Sequence, residues 1–331
     1  MLRILLSGIL SVAAVQSAER IDNVLKQLVP RDAVSLFGAQ MEQVKATPLY
    51  QKLVAGQKLT QLDEFAAQTN FDPRRDVREL LIASNLAKKS GVLLARGNFR
   101  MSMDGLAKSK DMHRSNYKGY VLWTNTSQQA GFCVLDSTLA IAGPVPSMRA
   151  ALDRYSERGS GLPGAQERSP LLDKAMSIPM RNQIWMVSEG GTDFLGDNMP
   201  ESGPASNFVR IFHNLESTRF QADLSQGLNA FVQGSCKTEA DAKSLADAAR
   251  GLVGFGRLSV PDGQPQLLRV WDAIQVAQQG RTLNVNADIP ADLVAQLLQL
   301  LENAPGRPNG RSSFYSSEEE SHRPRSKPRP H

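Results

Sequence analysis

The sequence predicts an α+β protein of two similar halves, each a largely antiparallel sheet with helices packed on one face. Three features carry that expectation. Short segments that alternate apolar and polar residues come in pairs joined by tight turns, the pattern of hairpins. Segments with a single apolar stripe at helical spacing interrupt them. The order of these segments then recurs: Thr138 to Pro146 and Thr282 to Pro290 each run through a strand into a proline, and the two prolines stand 144 residues apart.

Taken in order, Ile21 to Val29 places Ile21, Val24, Leu25 and Leu28 at helical spacing, and Pro30 ends the segment. Ala33 to Phe37 reads as a strand. Thr47-Pro48 supplies a cap and a proline at the first helical position for a helix through Val54, and Gln61 to Thr69 is a second helix. Strands follow at Glu79–Ser84 and Gly91–Gly97, then a helix near Met103–Ser109. Gly119–Thr124, Gly131–Leu135 and Thr138–Ala142 are three more strands, and Ser147 caps a helix reaching Tyr155. The second half repeats this. Gln183–Val187 answers Ala33–Phe37, and a helix at Asn207–Leu215 answers Pro48–Val54. The hairpin Arg219–Ser225 and Asn229–Gly234 answers the first hairpin. Thr238 caps the next helix, with Ala242, Leu245, Ala249 and Leu252 on one side and Gly254-Phe255-Gly256 as its expected end. The implied unit is β-α-ββ-α-ββ-α, used twice, in separate sheets or in one fused sheet.

The boundaries follow. Residues 1–18 read as a signal peptide: Arg3, an uncharged apolar run from Ile4 to Val15, and small residues at Val15 and Ser17 for cleavage. That run is too short to span a bilayer, and no later one is long enough, so no transmembrane span is expected. Residues 19–156 form the first repeat, 157–181 a linker and 182–302 the second repeat. Residues 303–331 form a Pro/Arg-rich tail with too little apolar surface to offset its ordering entropy, so the tail is expected to be disordered.

Charge narrows the partners. Of the formal net charge of +5, the tail carries +3 and Arg3 one more, leaving about +1 on the body. A near-neutral body argues against nucleic acid. The basic tail is suited to contact anionic surfaces.

Catalytic signatures are sparse. His113 and His213 have no ligand-like neighbours; His113 falls in a charged loop and His213 on a helix flank. There is no Gly-x-Ser-x-Gly elbow and no Gly-x-x-x-x-Gly-Lys loop. The segment Asp72-Pro73-Arg74-Arg75-Asp76-Val77-Arg78 reads as a turn whose charges pair among themselves. The loop Ser188–Ser206 is about ten residues longer than its counterpart Gly38–Ala46 and is rich in oxygen ligands. Glu189, Asp193, Asp197 and Asn198 are its candidate ligand-binding residues. Their spacing matches no calcium loop, so neither a metal nor a cofactor is expected. Cys133 and Cys236 leave two readings open: a disulfide clamping the halves, or buried free thiols.

Leu28-Val29-Pro30-Arg31-Asp32-Ala33-Val34, Thr47-Pro48-Leu49-Tyr50 and Phe71-Asp72-Pro73-Arg74-Arg75-Asp76 resemble an uncharacterised family of secreted bacterial proteins. The resemblance implies an extracytoplasmic location, periplasmic or secreted, and brings no activity or site residue. The functional expectation is a non-enzymatic binding or scaffold protein with an envelope or extracellular ligand. The alternative is a carboxylate-dependent extracytoplasmic hydrolase using Glu189 and Asp193.

Overall fold

The computed structural model describes residues 19–53, 60–104, 107, 112–157, 169–190, 214–260 and 264–302. The expected signal peptide, the tail, the helix at Asn207–Leu215 up to residue 213, and Asp193, Asp197 and Asn198 lie outside these residues.

Twelve strands among the described residues form one antiparallel sheet rather than two. In chain order they are β1 (Ser35–Ala39), β2 (Val77–Asn85), β3 (Ser90–Gly97), β4 (Met112–Tyr117), β5 (Tyr120–Asn125), β6 (Ala130–Asp136), β7 (Leu139–Pro144), β8 (Ile184–Glu189), β9 (Leu215–Asp223), β10 (Gly227–Cys236), β11 (Ile274–Gln279) and β12 (Thr282–Pro290). Across the sheet they run β11-β12-β10-β9-β8-β1-β2-β3-β7-β6-β5-β4. The seam is β1 against β8, with Phe37 opposite Met186 and Gly38 opposite Trp185. Hydrogen bonds from Gln40 N to Gln183 O and from Glu189 N to Val34 O, both 2.8 Å, extend that seam past the strand ends.

Ten helices accompany the sheet among the described residues: α1 (Asn23–Leu28), α2 (Met41–Lys45), α3 (Pro48–Leu53), α4 (Thr60–Thr69), α5 (Pro73–Asp76), α6 (Val145–Glu157), α7 (Pro170–Met176), α8 (Glu239–Leu258), α9 (Pro265–Asp272) and α10 (Ala291–Glu302). Local chemistry places their starts. The Asp22 carboxylate accepts from Val24 N and Leu25 N, Thr47 Oγ1 accepts from Tyr50 N, and Thr238 caps α8 by accepting from Asp241 N. α8 runs two residues beyond its expected glycine stop. Gly256 lies against the Trp271 indole, where a Cβ would come within 2.3 Å of Cζ2, so this glycine serves packing, not termination.

One cross-strand row shows how the two faces are used. Cys133, Ile141, Leu94, Leu81, Gly38, Trp185, Gln221, Phe231, Asn286 and Gln275 stand side by side on what we call the front face. Its first part is apolar and covered. Leu25 and Leu28 of α1, Met148, Ala151 and Leu152 of α6, and Leu171 and Ala175 of α7 close over it in the main core. Gly38 leaves room for the Trp185 indole, because a Cβ there would lie 2.1 Å from Cζ2. Beyond Trp185 the row turns polar.

On β9–β12 the helices sit on the back face instead. Ala242, Leu245 and Ala246 of α8 pack on Leu215, Cys236 and Leu283. Val270 of α9 and Leu293 and Val294 of α10 join Leu224 and Ile289, together with Val44 of α2 and Leu49 of α3. A smaller cluster of Phe71, Ala95 and Phe99 covers the back of β2, β3 and β7.

Cys133 and Cys236 are both free and buried. β6 and β10 are seven places apart in the strand order, about 33 Å at the usual spacing, so the cross-half disulfide does not form. Burial pushes the Cys133 thiol up to about 12 and raises that of Cys236. His113 lies not in a loop but on the edge strand β4, opposite Thr124.

Candidate functional site

The front of β9–β12, which no helix among the described residues covers, is assembled by alternation. Each strand sends every second residue forward, and the register stacks these into rows. Asp223, Asn229 and Asp288 form one row. Gln221, Phe231, Asn286 and Gln275 form the next, and Arg219, Gln233, Asn284 and Ala277 the third. Carboxamides dominate these rows, which hold neither lysine nor glutamate. Gln233 Nε2 donates to Asn284 Oδ1 at 3.1 Å, and the Arg219 guanidinium donates twice to Gln221 Oε1 at 3.2 and 3.0 Å. Arg219 has no carboxylate partner among the described residues, and burial lowers its pKa.

At the end of the first row the face deepens into a pocket of about 300 Å³ lined by Arg181, Asp223, Gln226, Gly227, Leu228, Asn229 and Asp288. The β9–β10 turn shapes it. Gly227 holds φ +135°, and a Cβ would meet Ile289 O at 2.4 Å, so the turn closes tightly on β12 only with glycine. Gln183 braces the turn from the seam: its Oε1 accepts from Leu224 N at 2.7 Å, and its Nε2 donates to Asp223 Oδ1 and Ser225 Oγ, both at 3.1 Å. Burial alone raises the Asp223 pKa. Donors from Ser225 and Gln183 and the charge of Arg181 outweigh that and leave the carboxyl below its ordinary value. Asp223 is therefore an acceptor held ionised, not a proton donor.

Of the four candidate ligand-binding residues singled out in the sequence, only Glu189 falls among those described. It ends β8 opposite Ser217, and its carboxylate pairs with Lys174 of α7 at 3.3 Å, both side chains remaining more than two-fifths exposed. The pocket residues carried no local motif. Asp223 and Asn229 flank a turn, but Asp288 joins them only through the β10–β12 pairing. The composition Asn-x-Asn-x-Asp from Asn284 to Asp288 was the available signal, since Asn and Asp are depleted in strands.

No family model matches the chain, and no curated protein matches it. Among solved structures, crystal form I of TP0453 is similar with a TM-score of 0.45 at 11% identity, covering 85% of this chain and 98% of that one. Crystal form III of TP0453 gives 0.43 at 8% identity, covering 83% and 98%. Likeness at this level carries no functional argument.

A second polar cluster lies under the N-terminal helix. Glu79 on β2 accepts from Asp22 N at 3.0 Å. Arg96 pairs with Asp22 at 3.0 Å and donates to Thr138 Oγ1 at 3.0 Å. Burial is the main cause that pushes the Glu79 carboxyl up to about 7, against the opposing pull of its donors and Arg96. Arg20, 2% exposed, donates to Ile178 O at 2.7 Å, to Asn182 O at 3.1 Å and to Pro179 O, anchoring the segment before α1 to the turn after α7. These contacts tie α1 and the segment before it to β2, β3 and the turn after α7. Asp72, Arg74, Arg75 and Asp76 pair among themselves as expected, with Arg74 also reaching Asp63 at 2.6 Å.

Proposed function

We propose that this protein is a non-enzymatic extracytoplasmic binding protein whose ligand surface is the open front of β9–β12. The ligand class that fits is polyhydroxylated, a glycan. The observation that supports this is the change along a single front-face row, from apolar and helix-covered to carboxamide-rich and open. A carboxamide donates and accepts at one site without the desolvation cost of a charge, which matches vicinal hydroxyls that do both. Asp223 and Asp288 add acceptors at the pocket end. Phe231, set between Gln221 and Asn286, offers an apolar surface for the C–H face of a sugar ring.

Export rests on the N-terminal pattern of residues 1–18, and the matching order of segments supports an internal duplication. The hydrolase reading needs a carboxyl that keeps its proton at the site. Asp223 is ionised and Glu189 is engaged by Lys174, so binding is favoured over hydrolysis.

Affinity electrophoresis of the purified protein through gels containing a neutral glucan, an amino-sugar polymer or a uronate polymer tests this. We expect retardation by at least one polymer, lost in Phe231→Ala and Asn286→Ala. Absence of retardation by all three polymers, or retardation unchanged by both substitutions, refutes the sheet-face site. Retardation lost only on Glu189→Ala with Asp193→Ala would move the site to the loop beyond β8.

A further inference from the structure

Arg219 stands in the third row of the front face, opposite Val187 on β8 and Gln233 on β10. Its Nε and Nη2 both donate to Gln221 Oε1, which occupies one edge of the guanidinium and fixes its plane. The second edge, Nη1 with the other Nη2 hydrogen, donates to no group among the described residues. That edge presents two parallel N–H bonds, the fork that a carboxylate accepts in a bidentate pair. Gln221 lies opposite Phe231, so the guanidinium, turned along β9 toward Gln221, is drawn toward the row that carries the aromatic ring. Diagonal neighbours on paired strands stand about 7–8 Å apart, which puts Arg219 and Phe231 within one sugar ring of each other.

Charge at this end of the face is unbalanced. Arg20 is bonded by the carbonyls of Ile178, Pro179 and Asn182 and by no carboxylate among the described residues. It is near enough to Arg219 for the two cations to repel, and burial disfavours the charged form of both. An anion on Arg219 relieves that repulsion and restores a partner that water no longer fully supplies. The carboxylates of the face, Asp223 and Asp288, lie in one row at its other end. Four residues of β9 separate Arg219 from Asp223, about 13 Å at the usual rise.

We infer that Arg219 is the specificity-determining residue of the front face and selects a glycan bearing carboxylates, a uronate, over a neutral one. The inference rests on the front face being the glycan surface and adds the charge of the ligand. The uronate ring stacks on Phe231 while its carboxylate takes the second edge of the Arg219 guanidinium. Gln233 Nε2 is bonded to Asn284 Oδ1 at 3.1 Å, which leaves Gln233 Oε1 and Asn284 Nδ2 for the ring hydroxyls. A carboxylate placed toward Asp223 and Asp288 is repelled. The acid group is therefore read at the Arg219 end, and this sets the direction in which the polymer lies. Guanidinium and ammonium are not equivalent here, because only the first offers a planar fork.

Affinity electrophoresis through a uronate polymer, and through the same polymer with its carboxyls reduced to primary alcohols, tests the inference, because the two gels differ only in the acid group. We expect the purified protein to bind the uronate form at least ~tenfold more tightly, as hydrogen bonds to a charged group do. Arg219→Gln should bring the two affinities together while binding to the reduced polymer persists. Arg219→Lys, which keeps the charge and loses the fork, should retain only part of the preference. An unchanged thermal melt of each variant would confirm that the fold is intact. The basic tail is the same in every variant, so a preference that it causes survives Arg219→Gln. Such survival, or equal binding of the two polymers by the parent, overturns the inference and leaves the glycan surface standing. So does retardation by a neutral glucan or an amino-sugar polymer with none by the uronate. Retardation by none of the four polymers removes the glycan surface and the inference together.

Discussion

Replacing Glu79 with glutamine should make this protein more stable at pH 8 and leave it unchanged near pH 4. The carboxyl is buried beneath α1, and burial pushes its pKa from 4.5 up to about 7. Its nearest cation, Arg96, is committed to Asp22 and Thr138. Below pH 4.5 the group is protonated in both folded and unfolded chains. Between 4.5 and 7 the unfolded chain releases the proton while the folded chain retains it, so stability falls as pH rises through this window. At about 1.4 kcal/mol per unit, and discounting for partial solvent contact, the loss is roughly 2–3 kcal/mol. Glutamine keeps an oxygen that accepts from Asp22 N and has no charge to desolvate. Urea denaturation of parent and variant at pH 4, 6 and 8 reads the difference directly: near zero at the first, increasing to its full value at the last. A variant that is less stable than the parent at pH 8 would refute the reasoning, because it would mean that the carboxylate is ionised there and held by Arg96.

Three further outcomes follow from the packing and the site. Gly38→Ala drives a Cβ into the Trp185 indole and should cost about 2–3 kcal/mol by urea midpoint, as overpacking does. Asp223→Asn removes a carboxyl held below its ordinary pKa, whose stabilisation is present above about pH 4 and is lost as pH falls through the folded value. The acid limb of the stability curve should therefore flatten in that variant. Thiol titration of unfolded, unreduced protein should find both cysteines reactive, and native protein should react slowly at Cys133 and Cys236; a count of zero after unfolding would restore the disulfide.

Much of the strand framework was legible because hairpins are local. The pairs at Glu79–Ser84 with Gly91–Gly97 and at Arg219–Ser225 with Asn229–Gly234 lie within about ten residues of each other, and their alternation needs no tertiary information. β4 and β11 were not anticipated. Met112–Tyr117 reads as charged and polar, and Ile274–Gln279 as a weak alternation dominated by glutamine, because an edge strand need bury little. The helix α9 was missed for a related reason: it is short, and Gln264 gives it no side-chain cap.

By itself the sequence determined the α+β class, most hairpins, the caps at Thr47 and Thr238, and the pairing of charges at Asp72–Asp76. These depend on period and on neighbours a few residues away. Tertiary structure alone decided that β1 pairs with β8 to fuse the strands into one sheet, and that α10 joins α2 and α3 on the back while α6 lies on the front. It thereby decided which carboxamides stay open and which cysteines never meet. The physical reason is that alternation tells which residues share a face of a strand, whereas only the packing of distant helices chooses which face is covered.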